Sequence, residues 1–158
     1  MKLERMSEDN GAPEVWPTRD STVVAATPGD VMAVIADFPA YPEWSTSIHL
    51  AEVLSTGSDG RPDRVRFKLE AGAIVDEYVL AYSWSADDRG LEWRLESSVL
   101  QKSQRGSYRL EPVEGGTRVD YELELELVVP VIGRLRTRAE RRILADALSE
   151  LKRRAEAR

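Results

Sequence analysis

The clearest pattern of hydrophobic and polar positions lies over residues 117–129, where apolar and acidic side chains alternate one by one. In the stretch VDYELELELVV, Val119, Tyr121 and Leu123 fall on one side, and the residues between them are acidic. Because successive side chains of a strand point to opposite faces, the pattern predicts a strand with one covered and one solvated face. Similar stretches that end in turn residues predict further strands over 21–26, 48–56, 63–70, 74–86, 91–97 and 103–111.

A short helix is predicted after the first strand. The sequence TPGD places Thr27 as an N-cap and Pro28 at the first helical position. Apolar residues follow at helical spacing up to Phe38, and Pro39 ends the helix because its ring and missing N–H do not continue the hydrogen-bond ladder. Residues 42–47 are expected to make one or two further helical turns.

From residue 131 onward the hydrophobic period changes from that of a strand to that of a helix. The pattern predicts one long amphipathic helix with basic and acidic residues opposite its apolar stripe. The predicted stripe contains Ile132, Leu135, Ala139, Ile143, Ala147, Leu148 and Leu151.

The order of these elements predicts an α+β domain. An antiparallel sheet of about seven strands needs a cover for its apolar face, and the C-terminal helix is the only predicted element long enough to lie across it. Residues 1–20 are polar and contain glycine and prolines without periodicity, so they are interpreted as a flexible N-terminal tail. Residues 21–156 are predicted to form a single domain. A chain of 158 residues is long enough for one domain to bury a hydrophobic core.

Composition excludes several classes of function. The net charge of -6 argues against a general nucleic-acid-binding protein, which normally has a basic surface. The absence of cysteine excludes disulfides and thiolate chemistry. No apolar run reaches the length of a signal peptide core or a membrane span, so a cytoplasmic protein without stable membrane insertion is expected. His49 is the only histidine and no phosphate-binding glycine motif is present, so neither a metal nor a cofactor is expected.

Three stretches resemble a known family. They are STVVAATPGDVMAVIADFPAYPEWSTSIHLAEVL, with its D-F-x-x-Y-P-x-W pattern, then GSYRLEPVEGGTRVDYELELEL, and the terminal amphipathic helix. Together they are similar to the START-like helix-grip superfamily (SRPBCC), in particular to its bacterial polyketide cyclase/dehydrase and lipid-transport branch, which includes coenzyme Q-binding proteins. The resemblance implies a curved antiparallel sheet wrapped around the C-terminal helix, two short helices after the first strand, and a cavity that takes hydrophobic molecules.

Strand parity indicates which side chains would face such a cavity. In the strand over 74–86, Asp76, Tyr78 and Tyr82 share one face. The alternative is that these residues form an ordinary filled core. The candidate ligand-binding residues are Trp44, Ile48, Tyr78, Leu80, Tyr82, Trp84, Trp93, Tyr108, Tyr121, Leu135 and Ile143.

The first functional hypothesis is a protein that binds or carries a small hydrophobic molecule, such as a lipid, polyketide or quinone-like compound. The alternative is a polyketide cyclase/dehydrase of the aromatase type, with Asp76, Tyr78 and Tyr82 as acid–base candidates. The resemblance implies a serine and an arginine two apart in the cyclases, and Leu80 and Tyr82 occupy those positions here. Asp76 has its own alternative, a strand-end position near solvent or a pair with an arginine such as Arg105. A third hypothesis is a protein-interaction or stress-response module.

The last helix is rich in basic residues, including Arg138, Arg141 and Arg142. Such a face is suited to transient contact with anionic lipid headgroups, and a solvated helix face is the alternative. The expected partner is a small hydrophobic ligand, with the protein as a monomer or weak dimer.

Overall fold

The structure, a computed structural model, describes residues 17–71, 74–129 and 133–157. The helical elements are α1 (Pro28–Ala36), a 3-10 turn (Phe38–Ala40), α2 (Tyr41–Trp44) and α3 (Gly133–Glu156). The strands are β1 (Thr18–Val24), β2 (Ile48–Thr56), β3 (Pro62–Ala71), β4 (Ile74–Trp84), β5 (Gly90–Ser98), β6 (Gln101–Val113) and β7 (Gly116–Leu127).

The seven strands form one antiparallel sheet in the order β1-β7-β6-β5-β4-β3-β2. Strands β2 to β7 pair with their neighbours in sequence, and β1 closes the order by pairing with β7. The two edge strands, β1 and β2, are therefore joined by the segment that contains α1 and α2. The predicted α+β architecture, a curved seven-stranded sheet with a long C-terminal helix, is confirmed.

The first helix begins where the sequence predicts, but it ends two residues before the predicted end at Phe38. Thr27 Oγ1 accepts a hydrogen bond of 3.1 Å from the Asp30 N–H, and Pro28 takes the first helical position. The helix ends at Ala36, and the chain then bends through the proline-containing turns. The Tyr41 hydroxyl donates to the Ile35 carbonyl at 2.6 Å, which ties α2 back onto α1.

Strand β1 begins at Thr18, three residues before its predicted start. Thr18 is polar but buried, and its hydroxyl donates to Glu140 Oε1 of α3 at 2.7 Å. This contact with a residue 122 positions away gives no local signal in the sequence. The rest of the predicted tail, residues 1–16, lies outside the described residues.

Helix α3 buries a different face from the predicted one in its first half. Leu135 and Ile143 are 51% and 40% exposed, and Ala139 is also exposed, so the predicted stripe is wrong at these positions. Ile132 lies outside the described residues. The buried positions in this half follow the predicted ones by one residue, and each residue of a helix is rotated by about 100° from the one before it. The predicted stripe of this half therefore points away from the core. The side chains of α3 that are buried belong to Glu140, Leu144, Leu148, Leu151 and Ala155.

Glu140 is a buried carboxylate that joins α3 to two strands. Besides the Thr18 hydroxyl, it accepts the backbone N–H of Leu125 in β7 at 2.8 Å. Pairing of β1 with β7 reaches Leu123 and goes no further among the described residues. Glu140 therefore supplies an acceptor just beyond the end of the β1–β7 ladder.

The other end of α3 is also attached to β1 by polar contacts. Lys152 Nζ donates to the Val23 carbonyl at 2.7 Å and to Glu156 Oε2 at 2.8 Å. Glu156 Oε2 in turn accepts the Ala25 N–H at 2.8 Å. These bonds occupy backbone groups at the edge of the sheet, where an unpaired strand would otherwise offer them to another chain.

None of the helices in the part of the chain that the structure describes combines the length and hydrophobicity needed to cross a bilayer.

We expect Glu140→Ala to lower the free energy of unfolding by about 2–6 kcal/mol, because two donors lose their acceptor in a buried site at a cost of about 1–3 kcal/mol each. Urea unfolding followed by circular dichroism measures this difference. Asp146→Ala is the control on the same helix, since it removes an exposed ion pair with Arg142 and should change stability by less than about 1 kcal/mol. Equal effects of the two substitutions would contradict the role of Glu140.

Candidate ligand-binding site

The inner face of the sheet, which faces α1 and α3, carries a continuous network of aromatic rings. Each ring lies within 4.6 to 6.3 Å of at least one other, centroid to centroid. All aromatic residues of the described part of the chain belong to it. They are Phe38, Tyr41, Trp44, Phe67, Tyr78, Tyr82, Trp84, Trp93, Tyr108 and Tyr121.

The strand register brings these rings together. Tyr78 of β4 lies opposite Phe67 of β3, and their rings stack at 5.3 Å with an interplanar angle of 22°. Tyr108 of β6 lies opposite Tyr121 of β7, with ring centroids 4.6 Å apart. Directly opposed side chains on neighbouring strands are close enough to interact. The aromatic face therefore follows from strand alternation together with the register.

Trp93 occupies the middle of this face, in a space that a glycine leaves open. Gly106 is opposite Trp93 in the β5–β6 pair. A Cβ atom on Gly106 would lie 2.3 Å from Cζ2 of the indole, so no larger residue fits without displacing it. The indole Nε1 donates to Gln104 Oε1 at 2.9 Å, which fixes the orientation of the ring.

Four tyrosine hydroxyls on this face have no hydrogen-bond partner among the described residues; they belong to Tyr78, Tyr82, Tyr108 and Tyr121. Tyr78 and Tyr121 are only 8% and 7% exposed. Most buried polar groups in native proteins are bonded to protein or to water, and an unsatisfied one costs about 1–3 kcal/mol. These hydroxyls are therefore available to a molecule bound on the inner face.

Burial controls the protonation of the four hydroxyls. It is the largest cause that raises the pKa of Tyr78, followed by the neighbouring Tyr121 and Asp76, and burial also raises the pKa of Tyr121. The pKa values of Tyr82 and Tyr108 are likewise raised well above the ordinary value by burial, although both side chains keep some accessible surface. At neutral pH all four are protonated and can donate hydrogen bonds.

Asp76, a candidate base from the sequence, is buried and already bonded to several donors. Its carboxylate accepts the Ser98 hydroxyl at 2.9 Å, the Val99 and Leu100 N–H groups at 3.2 and 3.1 Å, and Gln101 Nε2 at 3.0 Å. These donors form the turn between β5 and β6, so Asp76 holds that turn in place. Asp76 is therefore not near solvent, and Arg105, the expected partner, forms an ion pair with Glu124 at 2.9 Å.

A polar chain connects this turn with the aromatic face. Gln101 donates to Asp76 and its Oε1 accepts from Gln104 Nε2 at 2.6 Å. Gln104 in turn accepts from Trp93, so the carboxylate, two amides and the indole form one network. Sequence reasoning missed both glutamines, because the residues they join lie on three different strands.

The predicted ligand-binding residues divide into three groups. Trp44 and Ile48 are half-buried and pack against the core beside the edge of the sheet, whereas Leu135 and Ile143 lie on the exposed side of α3. Phe38 and Phe67 belong to the aromatic network but were not predicted; for Phe67 the signal was the alternation of the β3 stretch. The structure brings the remaining candidates together on the inner face: Tyr78, Leu80, Tyr82, Trp84, Trp93, Tyr108 and Tyr121.

A separate pocket of about 330 Å³ opens between the ends of α1, α2 and α3. Trp44 and Asp37 line it on one side and Arg154 on the other. Arg154 also forms an ion pair with Glu43 at 2.8 Å, so the guanidinium is already neutralised.

The family model described as polyketide cyclase / dehydrase and lipid transport matches residues 17–156. The chain belongs to this polyketide cyclase/dehydrase and lipid-transport family. No curated protein shows significant sequence similarity to it.

Solved structures of similar fold support the START-like architecture of this family member. A START superfamily protein from Mycobacterium smegmatis is 23% identical, with a TM-score of 0.83, and the match covers 88% of this chain and 96% of that one. The Zhui aromatase/cyclase from Streptomyces sp. R1128 is 16% identical, with a TM-score of 0.73 and coverage of 87% and 92%. At these identities the likeness establishes the helix-grip fold alone.

We expect the tyrosines of the folded protein to resist ionisation. Burial raises the pKa of all five, including Tyr41, above the ordinary value of 10.0. The folded state therefore binds more protons than the unfolded state above pH 10.0, so the free energy of unfolding falls as the pH rises past that value. Ultraviolet titration of tyrosinate should show little ionisation in the native protein where the urea-unfolded protein is half ionised. Superimposable titration curves would contradict the burial of the hydroxyls.

Gly106→Ala should destabilise the protein by about 1–3 kcal/mol, the usual cost of forcing additional atoms into a packed site. The indole of Trp93 must move, so the tryptophan signal in near-ultraviolet circular dichroism should change as well. Gly29→Ala is a matched control, because the nearest atom to its added Cβ would be 3.9 Å away. If both substitutions leave stability unchanged, the close contact between Trp93 and Gly106 does not exist in solution.

Proposed function

We propose that the protein binds and carries a small hydrophobic molecule between the inner face of the sheet and α3. The observation that supports this proposal is the set of four protonated tyrosine hydroxyls that lack a partner among the described residues. A buried hydroxyl without a hydrogen-bond partner destabilises a protein. A ligand that accepts hydrogen bonds from these hydroxyls would explain why they are present on an apolar face.

The chemistry of the face favours a planar or elongated apolar molecule with carbonyl or similar acceptor oxygens. Aromatic rings supply a large apolar contact area with few internal degrees of freedom. The hydroxyls of Tyr78 and Tyr121 would donate to the oxygens of the ligand. Polyketides, quinone-like compounds and oxygenated lipids share this combination of an apolar body and acceptor groups.

Carriage is better supported than catalysis. The raised pKa values of Tyr78 and Tyr82 mean that their hydroxyls do not readily give up a proton to a substrate. Both hydroxyls remain good hydrogen-bond donors. The carboxylate of Asp76 holds the β5–β6 turn, which leaves little capacity for proton abstraction. The serine–arginine pair implied for the cyclases is replaced by Leu80 and Tyr82.

The test compares two probes of similar shape, naphthalene and a naphthoquinone, by quenching of tryptophan fluorescence. We expect the quinone to bind about three- to tenfold more tightly, since a net hydrogen bond contributes about 0.5–1.5 kcal/mol. Tyr121→Phe and Tyr78→Phe should each reduce this preference while keeping the unliganded protein at least as stable as the wild type, because each removes an unsatisfied hydroxyl.

Tyr41→Phe is the matched control. The Tyr41 hydroxyl already has a protein acceptor, so its loss should lower stability and leave the preference for the quinone unchanged. The proposal fails if neither probe binds, or if the preference persists in the double variant Tyr78→Phe, Tyr121→Phe.

A further inference from the structure

We infer that one end of the domain docks onto an anionic membrane surface, through protruding aliphatic side chains bordered by arginines of α3. This inference concerns the outer surface of the protein and does not depend on the ligand proposed above. The docking surface is defined by Ile74, Val75, Val99, Val128, Val129, Leu135 and Ile143 with Arg138, Arg141 and Arg142.

The aliphatic residues of the docking surface are unusually exposed. Nine large hydrophobic side chains are exposed in the described residues, and all except Val23 and Leu54 belong to this surface. Their exposed fractions run from 40% to 68%, with the highest at Val99 in the β5–β6 turn. Scattered single apolar residues are normal on a protein surface, but a concentration at one place indicates an interaction site.

The hydrogen bonds show that the strand ends involved lie at the same end of the sheet. The Val99 N–H bonds to the carbonyl of Glu77, two residues after Val75 in β4. The Val128 N–H bonds to the carbonyl of Leu100 at 2.8 Å, which joins the end of β7 to the β5–β6 turn. Glu140 of α3 accepts the Leu125 N–H near the end of β7, so the helical turns that precede Glu140 lie close to this end of the sheet.

The first half of α3 presents a second apolar row, on the side away from its buried face. Leu135, Ala139 and Ile143 are spaced by four residues and all three are exposed. Residues at this spacing lie above one another on a helix. These residues match a helical core pattern in the sequence, yet the described part of the protein does not bury them.

The first half of α3, which carries this row, is rich in basic residues, although the whole chain has a net charge of -6. Residues 133–142 contain five arginines and a single acidic residue, the buried Glu140. Arg138 and Arg141 are exposed and have no ion-pair partner among the described residues, and Arg142 pairs with Asp146 at 3.3 Å. The charge of this surface is therefore complementary to an anionic partner.

A lipid surface fits these features better than a protein does. The exposed aliphatic side chains come from two turns, a strand end and a helix face. Aliphatic residues inserted among headgroups, with basic residues next to them, are the features by which peripheral proteins bind anionic bilayers.

The test is flotation of the full chain with vesicles of phosphatidylcholine alone and of phosphatidylcholine mixed with phosphatidylglycerol. We expect flotation with the mixed vesicles only, and weaker flotation at high salt because screening reduces the attraction. Arg138→Gln combined with Arg141→Gln should weaken binding by about fivefold per arginine. Val99→Asp should abolish or strongly reduce flotation.

Matched controls separate the docking surface from general effects. Leu54→Asp makes the same kind of change at an exposed residue outside the surface, and Arg153→Gln removes an exposed arginine from the last turn of α3. Both should float like the wild type. The inference is overturned if the wild type does not float at low salt, which is the result expected if the surface binds an acidic protein instead. It is also overturned if Val99→Asp floats normally, or if the control variants lose as much binding as the surface variants.

Discussion

The attachment of α3 to the edge of the sheet is the constraint on which the remaining architecture depends. Glu140 joins the helix to β1 and β7, and Lys152 with Glu156 joins it to the other end of β1. Because these bonds and the leucines beyond Glu140 hold the helix, the inner face of the central strands does not have to be filled by helical side chains. The fold can therefore keep a face whose polar groups remain available.

The inner face combines a rigid polar network with hydroxyls that are left unsatisfied. Hydrogen bonds run in one chain from Trp93 through Gln104 and Gln101 to Asp76. This chain fixes the indole in the middle of the face. The neighbouring hydroxyls of Tyr108 and Tyr121 have no such partners among the described residues. A fully satisfied network specifies a single arrangement, whereas unsatisfied groups beside it lower stability and are retained where function requires them. The contrast between the two sets is the physical basis for placing a ligand here.

Local patterns in the sequence were sufficient to predict most of the strands and the composition of the aromatic face. The predicted strand over 48–56 agrees with β2 to the residue, because alternation and the following glycine turn mark both ends. The role of Asp76 could not be predicted, since its donors are 22 to 25 residues away and come together only through the register of β4 with β5. Sequence parity placed Asp76 on the correct face but gave no information about what it contacts.

The error in α3 has a different physical origin. Two rows of apolar residues fit the helical period, one through Leu135 and Ile143 and the other through Leu144 and Leu148. Periodicity alone cannot choose between them, and the buried row contains a charged residue, Glu140, where a leucine would be expected. The polar contacts of Glu140 select the rotation of the helix, and that rotation turns the other apolar row outward. One buried carboxylate thus determines both which residues complete the core and which ones α3 presents at the surface of the domain.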